Sequence, residues 1–247
     1  MHIIPLSEGR FTVDATKKFI PFADTDELGE RSKGSLLVEI QPFVIITKKD
    51  ILLLDTGLGF TDRHGNLQLH TNLISAGINP VDVTLILMSH LHKDHAGGLT
   101  KQDPFSSSRN ICFPNAKYVI NKNEWNAALQ EGSSYIPNNI LPLKDSEQLL
   151  LTEGNGYVHD YIRFEHTGGH SPWHQAFWIE ENDEIIFFGG DVAPQLVQLK
   201  TKFIAKYDYD GKKAAALRAE WWERGNRENW QFLFYHDIKT PIYNAKK

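Results

Sequence analysis

The stretch Ser89-His90-Leu91-His92-Lys93-Asp94-His95-Ala96-Gly97-Gly98 places three imidazoles and one carboxylate close together. Zinc and its first-row neighbours accept side chains of these types as ligands. Four of them in so short a run suggest a site for two metal ions rather than one. An extended chain alternates its side chains, so His90 and His92 can converge on one ion. Asp94 and His95 fall where the chain turns away and can face a second. Ala96-Gly97-Gly98 lets the backbone pass close by without Cβ clashes. The apolar run Val83-Thr84-Leu85-Ile86-Leu87-Met88 reads as the buried strand that delivers the cluster.

His-x-His-x-Asp-His resembles the signature of the metallo-β-lactamase superfamily. Four further elements of that family's pattern follow in order: Asp55 after Leu52-Leu53-Leu54, His170 in Thr167-Gly168-Gly169-His170-Ser171-Pro172-Trp173-His174, Asp191 in Phe187-Phe188-Gly189-Gly190-Asp191, and His236 after Phe232-Leu233-Phe234-Tyr235. The resemblance implies an α/β fold, a four-layer αββα sandwich. It implies that His90, His92 and His170 hold a first metal and Asp94, His95 and His236 a second. Asp191 would bridge the two, and Asp55 would orient a ligand histidine through a hydrogen bond. His174 is left with a structural role, because the ligand set is complete without it. His2, His64, His70, His159 and His166 read as surface residues.

Two divalent ions, zinc first and manganese, iron or cobalt as alternatives, would activate a hydroxide at neutral pH. Asp94 could carry the proton to the leaving group and Asp191 hold the pair. Histidine at position 92 favours hydrolysis over the redox chemistry of relatives with glutamate there. Within the superfamily the motifs are most similar to the N-acyl-homoserine lactonase and methyl parathion hydrolase-like group. One departure is Pro194, where those lactonases carry a tyrosine near the substrate carbonyl. The leading expectation is a hydrolase of lactones or other carboxylic esters. Phosphotriesterase or phosphodiesterase action, a glyoxalase II-like thioesterase, a single-iron persulfide-oxidising relative and a non-catalytic binding protein are the alternatives. Trp173, Leu196, Val197 and Leu199 are candidates for an apolar substrate pocket.

The elements that must position these groups are legible in outline. The chain has 247 residues, 41% of them hydrophobic, which suits one domain over 1–247. Short β-rich runs occupy 36–40, 43–47 and 50–54, with a tight turn at Lys48-Lys49-Asp50. The spacing predicts a helix over 66–78, with Leu69, Leu73 and Ile74 inward and Gly77 as its stop. A second helix is expected over 121–130, capped by Asn121 or Asn123. A third runs over 210–223 with Ala214, Leu217 and Trp221 as its stripe. Strands are expected at 161–165, 175–180, 184–188 and 230–235. Residues 132–156 read as a turn-rich loop over the site. The one cysteine, Cys112, excludes an internal disulfide and reads as a buried thiol. A net charge of -5 argues against nucleic acid as a partner. With neither a long apolar run nor a signal-like start, the expectation is a cytoplasmic protein, monomer or homodimer, that meets a small molecule and no membrane.

Overall fold

The computed structural model describes residues 1–103, 105–130 and 132–245. Two six-stranded sheets form its centre. The first runs His2–Pro5, Phe43–Ile46, Ile51–Leu54, Leu85–Leu87, Lys117–Asn121 and Leu149–Thr152 in spatial order. The second takes its six strands in chain order, from Gly156–Val158 to Ile242–Asn244. Each sheet mixes parallel and antiparallel pairs.

The period-two alternation of these strands sorts their side chains into separate cores. Phe43, Ile45, Leu52, Leu54, Leu85 and Leu87 face Phe177, Ile179, Ile186 and Phe188 between the sheets. Their neighbours Val44, Leu53, Ile86 and Tyr118 point outward. They meet Leu69 and Leu73 of α1 (Gln68–Ser75), the next helix being α2 (Lys93–Ala96), and Trp125 of α3 (Lys122–Ala128). On the far side Ala176, Trp178, Phe187 and Phe232 pack against α4 (Leu196–Lys200) and against Ala214 and Trp221 of α5 (Gly211–Glu228). Three apolar seams between four layers make the expected αββα sandwich.

The helix signals work as their chemistry dictates. Asn121 accepts from the backbone N–H groups of Asn123 and Glu124, and Asp210 from that of Lys213. Asn229 closes α5 in the left-handed conformation. Several expectations need correction. Ile74 is 63% exposed, because only the i, i+4 pair Leu69/Leu73 lies on the inner face of so short a helix. The segment 132–156 is not loop throughout: Leu149–Thr152 adds an edge strand beside Lys117–Asn121. Leu150 and Leu151 stay partly exposed at this sheet edge although they point to opposite faces, and the run Leu149-Leu150-Leu151 shows no apolar–polar alternation. His70 and His166 are half-buried: His70 packs edge-on against Phe113, and His166 stacks on Trp173. Among the described residues no helix is long and apolar enough to cross a membrane.

Candidate metal centre

Carboxyl-terminal ends of strands from both sheets converge at one edge of the sandwich. Leu87 leads to His90, Leu54 to Asp55, Phe188 to Asp191 and Leu233 to His236. The sheets are tied there by Gln175, whose N–H and side chain donate to Ser89 O and Met88 O. Gly190 has φ +47, and a Cβ on it would stand 2.6 Å from His174 Nε2 and 2.7 Å from Ser89 Cβ. Only glycine lets the Asp191 turn close onto the histidine loop. Gly98 likewise sits against the backbone of Thr56, as the Gly97-Gly98 pair predicts.

The geometry brings together His90, His92 and His170 as one group, and Asp94, His95, Asp191 and His236 as another. Within each group the candidate ligand atoms lie within 4.8 Å of one another. Asp191 spans the two. Its Oδ1 is 3.2 Å from His95 Nε2 and 3.1 Å from His236 Nε2, while its Oδ2 is 3.3 Å from His170 Nε2. Asp94 Oδ2 stands 3.6 Å from both His95 Nε2 and His236 Nε2.

Most rings are held from behind, which fixes the nitrogen they present. His95 Nδ1 donates to Asp55 Oδ2 at 2.7 Å. His90 Nδ1 donates to Ser89 Oγ, and that hydroxyl donates on to Asp55 Oδ2. One buried carboxylate therefore aims two rings. His236 Nδ1 donates to Glu39 O at 2.7 Å, and His170 Nδ1 to Asp208 Oδ1 at 3.0 Å. His174 uses both nitrogens within the protein, one with Thr167 Oγ1 and the other accepting from the N–H of Asp191. It has no lone pair left for a metal and supports the Asp191 turn instead.

Electrostatics separate the rings. Burial, reinforced by neighbouring rings, pushes His90, His92 and His174 well below the usual imidazole range. Burial opposes charge on His95 too, but Asp191, Asp94 and Asp55 outweigh it and hold it well above. Asp191 is driven well below the carboxylate range by His236, His95 and His170, against its own burial. His90 Nε2, His95 Nε2 and Asp191 Oδ1 are buried with no hydrogen-bond partner among the described residues. Orphaned polar atoms of this kind are costly. Three of them converging in a shell of imidazole and carboxylate fit divalent cations of the zinc type.

Some supporting groups carry no local sequence signal. Glu124, buried on α3, accepts from Leu91 N, Tyr135 OH and Ser171 Oγ, each at 3.0 Å. It clamps the loop of His90 and His92 to the loop of His170. Tyr135 sets its ring 5.0 Å from that of His92. Tyr235 stacks on His95 and donates to Asp94 O. Its place beside His236 was the one available clue. Asp208 lies far along the chain from His170, and nothing in its neighbourhood marks it.

A cavity of about 690 Å³ opens over the cluster. Its floor includes His92, Asp94, His170, Asp191 and His236. Its apolar wall comes from Val13, Phe19, Leu36, Leu37 and Val38, on and beside the strands Gly9–Val13 and Leu36–Ile40. The expected pocket of Trp173, Leu196, Val197 and Leu199 is corrected by this lining, which contains none of them. Leu199 is buried in the α5 seam and Leu196 packs against it. Val197 is 60% exposed on the outer face of α4, and Trp173 turns away to stack on His166.

A sequence profile of the metallo-beta-lactamase superfamily matches residues 39–223. The chain belongs to the metallo-beta-lactamase superfamily. It is 35% identical over 104 residues to an N-acyl homoserine lactonase of Bacillus thuringiensis, covering 42% of this chain and 36% of that protein. It is 30% identical over 167 residues to an N-acyl homoserine lactonase of Bacillus cereus, covering 60% of this chain and 61% of the relative. The matches thus span between about a third and three fifths of these relatives' length. Among solved structures, a probable metal-dependent hydrolase from Staphylococcus aureus superposes with a TM-score of 0.80 at 22% identity, covering 99% of this chain and 92% of that one. AidC, a dizinc quorum-quenching lactonase, gives 0.72 at 20% identity, with 97% and 88% covered. At those identities the structural likeness concerns the superfamily fold.

Proposed function

We propose that this superfamily member is a dinuclear metal-dependent hydrolase acting on a lactone or another carboxylic ester. The observation that carries the reading is Asp191, whose two oxygens each reach a different group of imidazoles. His90, His92 and His170 would hold one ion, and Asp94, His95 and His236 the other, with Asp191 between them. Zinc fits the nitrogen-rich ligand set. When bound, the pair supplies a Lewis acid for the carbonyl oxygen and a water of lowered pKa.

The chain's own groups do the rest. The wall of Leu36, Leu37 and Val38 holds an acyl or alkyl body and keeps bulk water from that side. Asp94, at the cavity floor, can pass a proton between the attacking and leaving oxygens. Pro194 offers no side-chain donor, and its carbonyl is taken up by the N–H of His236. Tyr207 lines the same cavity with its ring 6.0 Å from that of His170. Burial and the nearby Asp191 push its phenol up to about 12, so it keeps its proton and can donate to a substrate oxygen.

The test is a panel assay of zinc-loaded protein on N-hexanoyl homoserine lactone, para-nitrophenyl hexanoate, a thioester and a phosphotriester. Turnover highest on the lactone or aryl ester supports the reading. Turnover confined to the phosphotriester or thioester moves the enzyme to another branch of the superfamily, and none on any substrate refutes hydrolysis.

A further inference from the structure

The cavity carries a charge pattern at odds with the rest of the molecule. The chain is acidic overall, at -5, yet Lys17, Lys93 and Lys206 all line this one opening. They come from three separate segments: the turn after Gly9–Val13, the first position of α2, and the stretch before Asp208. None of the three joins an ion pair among the described residues.

The Lys17 ammonium is set in place, and Lys93 is fixed at its backbone. Lys17 holds φ +56, a left-handed conformation that lysine seldom adopts. Its Nζ donates to Ser134 Oγ at 2.5 Å. That bond reaches from the N-terminal hairpin to the segment following α3. Lys93 follows His92 directly, and its N–H donates to the carbonyl of the same Ser134. Of the three carboxylates in the lining, Asp94 and Asp191 belong to the metal cluster. Asp14 accepts from the N–H and hydroxyl of Thr16 through Oδ1, at 2.9 and 2.6 Å, and keeps its charge, so it offsets one ammonium and leaves two in excess.

From this arrangement we infer that the substrate bears an anionic group, a carboxylate or a phosphate, in addition to its scissile ester or lactone. The apolar body lies along Leu36 and Leu37, and the anion meets the ammonium groups of Lys17, Lys93 and Lys206. Low-dielectric walls around an excess of positive charge concentrate such a substrate. The inference rests on the hydrolase reading of the same site and narrows its substrate class.

The test compares esters of equal chain length on the zinc-loaded protein. Para-nitrophenyl hexanoate is the neutral probe and mono-para-nitrophenyl adipate the carboxylate probe. The para-nitrophenyl ester of a terminally phosphorylated hydroxyhexanoate is the phosphate probe. At about threefold for each of the two ammonium charges that Asp14 leaves in excess, KM for the better anionic probe falls about tenfold below the neutral one at low salt. The preference shrinks as ionic strength rises to about 1 M. It vanishes in the Lys17→Gln, Lys93→Gln, Lys206→Gln triple variant. The larger gain, in the carboxylate or the phosphate arm, names the anion. Equal KM values, or a preference that survives in the triple variant, overturn the inference. Calorimetric binding of adipic acid mono-methylamide against N-methylhexanamide reads the charge preference without turnover. Tighter binding of the anion with no hydrolysis of any ester keeps this inference and defeats the hydrolase reading. Hydrolysis with no preference for charge does the reverse.

Discussion

On the floor of the cavity and just beneath it, His90, His95, His170 and His236 each have one nitrogen anchored, two of them through Asp55, one on Asp208 and one on Glu39 O. Along the wall, Leu36 is exposed, Leu37 half-buried, and Lys17 and Lys206 reach into solvent. The two regions touch at Glu39, whose strand lends its carbonyl to His236 while Leu37 and Val38 face the cavity. A floor so heavily determined suits a fixed reaction. A wall drawn from a short hairpin and surface segments can change its side chains at little cost to the fold, and it is where the proposed function puts substrate choice.

Breaking the floor has the largest effect. Asp191→Asn keeps the volume and removes the charge that spans both groups. Its kcat/KM falls on the order of 10²-fold or more, with metal content reduced, while the far-ultraviolet spectrum stays that of the folded chain. Near-normal turnover would place the chemistry elsewhere. Asp208→Ala tests the support beneath the floor. It frees the His170 ring, and metal affinity at one site drops about 10- to 100-fold, read by competition with a chelator. An unchanged affinity would make Asp208 a bystander.

A smaller effect comes from Glu8, which props the loop after Asp55. Its Oε2 accepts from the N–H of Leu58, while Oε1 is buried without a hydrogen-bond partner among the described residues. Burial pushes its carboxyl up to about 7, with the Leu58 bond pulling the other way. The folded chain thus keeps a proton that the unfolded chain releases near 4.5, so stability from this group is lost as pH rises through about 7. The difference is roughly 3 kcal/mol across that window, and denaturant midpoints from pH 4 to 8 show it as a slope that Glu8→Gln flattens. The same slope in both proteins refutes the assignment. Smallest is the wall: Leu37→Ala raises KM for hexanoyl over acetyl esters by about threefold, the worth of a partly buried aliphatic contact, without altering metal content. An unshifted chain-length preference would put the acyl body elsewhere.

The floor was legible because its ligand types cluster beside apolar strands, and because Asp55, His170, Asp191 and His236 stand in the superfamily's order. Strands were legible where apolar runs are continuous, as in Ile51–Leu54 and Glu184–Phe188, but which side chains enter which seam emerges only from the structure. The wall was not. Val13 and Leu36 lie far from the metal-site histidines in sequence, and the short strands His2–Pro5 and Gly9–Val13 end and begin on residues that usually mark turns, Pro5 and Gly9. Leu199 and Trp173 sit near ligands in sequence but pack or point away from the cavity, since a turn between two residues resets direction. Glu124 and Asp208 read as ordinary helix-start and loop acids, because burial cannot be read from a polar residue's type.

The central claim is that two ions share Asp191. Metal-stripped protein titrated with zinc, followed by calorimetry and by elemental analysis after desalting, tests it most directly. The account predicts saturation at about two equivalents for the native chain, with the second weakened or lost in Asp191→Asn. Saturation at one equivalent, or two equivalents bound equally well by the variant, would contradict it.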